Sequence, residues 1–95
     1  GLDTLPPRIA PNYQYDNLKI RHAMCFHITD KETGIKSYRG TVDGRWALFT
    51  YDKKYNLLKF RVNTARFPGD KWRKVRLEVS DYQNNTAVYE ARVFF

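Results

Sequence analysis

A chain of 95 residues can build one hydrophobic core and is too short for two. Its 42% hydrophobic share fits a folded globule, and no apolar run nears the roughly 20 residues of a membrane-spanning helix. Seventeen Lys and Arg against ten Asp and Glu leave a net charge of +7, which attracts anionic surfaces, while a single cysteine excludes an internal disulfide.

Residues 1–95 read as one domain, and Gly1, standing where a gene product carries Met, reads as a tag remnant on a fragment of a larger secreted protein. Leu5-Pro-Pro-Arg-Ile-Ala-Pro11 cannot be helical and makes at most an edge strand, because proline lacks the ladder donor. Leu18 to Thr29 alternates apolar with polar residues, the period of a half-buried strand, with Lys19 and Arg21 pointing outward. After a turn at Asp30 to Gly34, Ile35–Val42 and Trp46–Tyr51 form a hairpin about Asp43-Gly44, a pair suited to the positive φ angles of a type I′ turn. Leu58, Phe60 and Val62 alternate with Lys59 and Arg61 in the next strand.

The longest loop runs from Asn63 to Lys71. Trp72–Ser80 then alternates Val75, Leu77 and Val79 inward with Lys74, Arg76 and Glu78 outward. Asp81 to Asn85 turns the chain into Ala87–Phe95, whose odd-numbered residues share one apolar face. Six strands, and a seventh in the proline-rich start, predict an all-β, immunoglobulin-like antiparallel sandwich without a disulfide. A five-stranded OB barrel is the alternative, and the strand count disfavours it.

Chemistry-bearing patterns are sparse. Cys25 sits in mid-strand, away from any helix N-terminus that would activate it. His22 and His27 point to opposite faces and cannot share a metal, and Asp30, Glu32 and Asp81 suit turns better than a calcium loop. Neither a catalytic constellation nor a cofactor or metal motif is recognisable. Lys19 and Arg21 on one strand and Lys59 and Arg61 on its expected neighbour would form a basic face, with Lys74, Arg76 and Arg92 as a second patch on the other sheet. Trp46 and Trp72 have rings suited to stacking on a sugar or base, but tryptophan is commonly buried in a sandwich, and Trp46 is expected as a core anchor.

Asp30, Gly34-Ile35, Ser37-Tyr38, Gly40, Asp43-Gly44, Trp46, Leu48, Tyr51-Asp52 and Lys54 follow one another in the order of a known pattern. With them the chain resembles an immunoglobulin-like domain of Gram-negative bacterial cell-envelope proteins, found beside lysostaphin-type zinc metallopeptidases that cut peptidoglycan. A weaker match runs from Pro6-Pro7-Arg8-Ile9 through Pro68-Gly69 to Val79-Ser80-Asp81. Such domains often carry Asp-x-x-Gly-Asn at the late turn; here Asn84 replaces the glycine and should adopt the left-handed conformation itself. The peptidase zinc motifs, His-x-x-x-Asp and His-x-His, do not occur in these residues.

The resemblance implies a noncatalytic accessory domain, extracytoplasmic in the periplasm or at the cell surface, that positions or docks a peptidoglycan peptidase. Its partners would be other domains of the same polypeptide or envelope proteins. The alternative is a module that binds polyanions or anionic glycan through Lys19, Arg21, Lys59 and Arg61. Nucleic acid is not expected, since no RNP1-like motif is present.

Overall fold

The computed structural model describes residues 5–11, 23–30, 34–63 and 65–95. They form strands β1 (Arg8–Pro11), β2 (Ala23–Thr29), β3 (Ile35–Val42), β4 (Arg45–Ala47), β5 (Phe49–Asp52), β6 (Leu57–Arg61), β7 (Trp72–Asp81) and β8 (Thr86–Phe94). Leu18, Lys19, Ile20, Arg21, His22 and Glu32 lie outside the described residues. Two antiparallel sheets, ordered β1-β2-β6-β5 and β4-β3-β7-β8, enclose the core. This is the immunoglobulin strand order, with a fourth strand added beside β3.

The hairpin carries both an expected feature and a departure. Asp43 and Gly44 have φ of 51° and 77°, as a type I′ turn requires, and Val42 pairs with Arg45 across it. The single strand expected from Trp46 to Tyr51 is in fact two. Its first part pairs with β3 in one sheet, its second with β6 in the other, and the chain changes sheets at Leu48. The proline-rich start is an edge strand, as its missing donors require.

The sheet change is made possible by a contact that alternation alone does not show. Phe49 enters the core from β5 and lays its ring over Gly40 of β3, where an added Cβ would fall 2.0 Å from the ring edge. From there an aromatic chain runs through the interior. Phe49 stacks on Phe60 at 5.3 Å and tilts against Phe26 at 6.1 Å, while Phe60 meets Phe67 at 6.5 Å and Phe95 at 5.9 Å. Met24, Ile28, Val42, Leu58, Val75, Leu77 and Val79 fill the space around them. Cys25, which alternation puts on the outward side of β2, is buried, whereas His27 on the same side is exposed.

At the far end of β7 the Asp81 carboxylate is fully buried and organises the late turn. Oδ1 accepts from the backbone N–H groups of Gln83 and Asn85, and Oδ2 from the side-chain amide of Asn85. Asn84 sits at φ 62°, taking the left-handed conformation expected of it. Asp30 likewise serves a turn, accepting from the Gly34 N–H.

Gly40→Ala tests the sheet change. The new methyl must displace Phe49 from its stack, so urea unfolding should show a loss of about 1–3 kcal/mol, the usual cost of overpacking. Phe49→Leu in the Gly40→Ala background should return part of that loss, and simple additivity of the two substitutions would show that they do not touch.

Candidate functional site

The two sheets part where the chain passes from β4 to β5, and a groove of about 620 Å³ opens there. Trp46, Leu48, Arg61, Asn63, Arg66 and Phe67 contribute to its lining. The expected core role of Trp46 is corrected: its side chain is 50% exposed, and Leu48 beside it is 65% exposed. Parity explains this. Ala47 and Phe49 take the inward positions on either side of the sheet change, which leaves Trp46 and Leu48 outside. Tyr38, in the same run of the sequence, is 38% exposed.

The loop after β6 builds the groove's cationic wall. Asn63 Oδ1 accepts from the Ala65 and Arg66 N–H groups, and the Asn63 carbonyl accepts from Arg66 and Phe67. That turn sets the Arg66 guanidinium 5.8 Å from the Trp46 ring centre and 5.7 Å from that of Phe67. Arg66 Nε is buried with no hydrogen-bond partner among the described residues. The Arg45 guanidinium also lies over the Phe67 ring, at 5.7 Å. Arginine stacked on exposed aromatic surface gains cation–π attraction and keeps donors available to an incoming anion.

Of the four basic residues singled out in the sequence, Arg61 lines this groove, and Lys59 lies exposed on the same strand. Lys19 and Arg21 lie outside the described residues. The second basic patch is brought together but interleaved with acid. Arg76 bonds Glu78 and Glu90, and Lys74 lies 3.4 Å from Glu90, so of these three cations Arg92 alone has no ion pair among the described residues. Hydrogen bonding to Glu78 above all makes the Arg76 guanidinium hold its proton more tightly than a free arginine. Among the described residues no three His, Cys, Asp or Glu side chains converge as metal ligands would.

Arg73 is the residue that motif reading passed over. Its side chain is only 3% exposed, on the inward face of β7. Nε donates to the Phe95 carbonyl at 2.8 Å, Nη2 to the Pro68 and Gly69 carbonyls, and Nη1 lies 3.5 Å from Asp43 Oδ2. The plane also lies against the Phe67 and Phe95 rings, at 5.6 and 5.3 Å. Its signal was its parity, since it falls in register with Val75, Leu77 and Val79. Arg73 is a structural tie behind the groove, holding Phe67 in place.

Comparison with family models, curated proteins and solved structures gave no match to this chain.

Arg73→Lys keeps the charge and loses the fork. Stability should fall by about 1–3 kcal/mol through the lost hydrogen bonds of the fork, whereas Asp43→Asn, at a side chain that is itself 40% exposed, should lose about 0–1 kcal/mol through that ion pair.

A second test concerns alkaline pH. Burial raises the Tyr51 phenol above its ordinary pKa of 10.0. Below about pH 10 both states keep that proton and stability is unaffected; above it the unfolded chain ionises first, so folding weakens. Tyr51→Phe should lessen the stability lost between about pH 8 and pH 11, read from urea curves at each pH.

Proposed function

We propose that this chain is a noncatalytic interaction domain of the cell envelope that docks or positions a peptidoglycan peptidase, using the groove at the sheet change. The observation that carries this is where Trp46 and Leu48 lie. Both belong to the sequence run that resembles peptidase-associated envelope domains, and neither is consumed by the core. A half-exposed tryptophan beside an exposed leucine, rimmed by arginine, has the make-up of a protein-binding hot spot. Gly40, Asp43 and Gly44 in the same run serve the fold. The run therefore combines residues that build the hairpin with residues that the hairpin presents.

A second reading has its own support at the same place. Arg66 sets its guanidinium beside the Trp46 ring, with Arg61 on the groove wall, and two cations next to an aromatic face suit an anionic glycan. The two readings differ in how binding responds to salt.

The test is binding of residues 1–95 to the lysostaphin-type domain of the polypeptide that carries them, followed by titration calorimetry. Saturable binding that weakens about tenfold or more on Trp46→Ser and on Leu48→Ser is expected. A carrying polypeptide with no such domain, or binding indifferent to both substitutions, would overturn the docking role. Affinity for purified peptidoglycan glycan that collapses between about 50 and 200 mM salt and on Arg66→Gln would favour the second reading instead.

A further inference from the structure

The other side of the sandwich ends in β8, a nine-residue strand at the edge of its sheet. Natural edge strands are commonly blunted by proline, bulges, short length or inward charge. The remaining edges follow that pattern: β1 contains Pro11, β4 has three residues and β5 four. β8 does not. Its register with β7 is unbroken from Trp72↔Phe94 to Ser80↔Thr86, and its inward residues are Ala87, Tyr89, Ala91 and Val93. Among the described residues no strand pairs with its outer edge.

Hydrogen-bond parity says which groups that edge presents. Lys71 and Phe95 exchange both backbone bonds, and the Asp81 N–H reaches Asn85 O, so odd positions of β8 bond β7. The N–H and C=O groups of Val88, Glu90, Arg92 and Phe94 therefore face outward along the edge. The side chains of these four residues, exposed on the outer face, read apolar, acidic, basic, apolar.

We propose that β8 is a self-association edge, pairing antiparallel with β8 of a second copy about a two-fold axis at Ala91. An isologous antiparallel pair that uses the outward-facing groups must centre on a single residue. Centring on Glu90 sets like carboxylates opposite each other, and centring on Arg92 sets like guanidiniums opposite. Centring on Ala91 places Glu90 opposite the second copy's Arg92, Arg92 opposite its Glu90, and Val88 opposite its Phe94. Every outward pair is then complementary.

The neighbouring strand fits the same register. Arg92 stands beside Lys74 across the β7–β8 ladder, a like-charge pair in which no carboxylate among the described residues pairs with Arg92. The second copy's Glu90 supplies one. Phe94, already packed edge-on against exposed Trp72 at 5.7 Å, gains Val88 of the second copy on its other side. The product is one continuous eight-stranded sheet made from two copies of β4-β3-β7-β8.

The experiment is analytical ultracentrifugation of the chain up to about 1 mM, a range that detects weak, small interfaces. A concentration-dependent dimer is expected. Arg92→Glu should weaken it at least tenfold by facing Glu90 of the second copy, and thermal unfolding should show the fold retained, because the new carboxylate lies beside Lys74. Ala91→Cys should form a covalent dimer on mild oxidation while Val93→Cys does not, since the register sets Val93 opposite Tyr89. A monomer throughout the range, a dimer unaffected by Arg92→Glu, or equal cross-linking at positions 91 and 93 would overturn the proposal.

Discussion

One steric condition shapes the molecule: the ring of Phe49 occupies the space that any side chain at position 40 would need. A strand that leaves one sheet for the other must carry a large inward residue across the gap, or the corner stays hollow. Gly40 lets the ring settle against the β3 backbone, and Phe26 and Phe60 then pack on its other sides. The sheet change follows, and with it the groove, because β4 and β5 diverge on either side of Leu48. Dispersion and burial stabilise this corner, and the absence of one Cβ makes it possible.

Arg73 settles the opposite problem, a polar group inside the core. Burying a guanidinium is costly unless its donors are satisfied, and here they meet three carbonyls, with a carboxylate close by. Those partners lie in the C-terminal residue, the Pro68-Gly69 loop and the Asp43 turn. One side chain thus ties all three together, beside the backbone bonds that Lys71 makes with Phe95 and Asp43 makes with Lys74. Lysine could not do the same, since its point charge lacks the planar fork that spans separate acceptors. The Phe67 ring, gripped by Arg73 from within and Arg66 from without, passes that order to the groove wall.

The strands were legible because alternation reports which side is buried, and most of the chain obeys it. The Asp43-Gly44 turn and the left-handed Asn84 were legible because few residues accept positive φ. The sheet change was not, because Trp46 to Tyr51 keeps one unbroken parity while its hydrogen-bond partners switch. Residue type points Trp46 to the core, although parity with Ala47 and Phe49 puts it outside. Arg73 suffered the reverse error: its parity placed it inside, and its charge drew attention away. In both cases position in the period outweighed the chemistry of the side chain. The basic patch on β7 and β8 does come together, but sequence separation hid the pairing of Glu90 with Lys74 and Arg76 that tempers its charge.

The two surfaces lie on opposite sides of the sandwich, and this bears on what each can contribute. The groove belongs to the edges formed by β4 and β5, whereas β8 borders the other side of its sheet. Pairing through β8 leaves the groove uncovered, and the two-fold axis would set a pair of grooves at the far ends of a joined sheet. A repetitive partner is bound more tightly by two weak sites held at a fixed spacing than by either alone, because the effective concentration at the second site rises. Geometry decides whether that gain is realised: it vanishes if the partner cannot reach both grooves together. A modest edge contact would then matter less for the stability of the fold than for the number of grooves it presents.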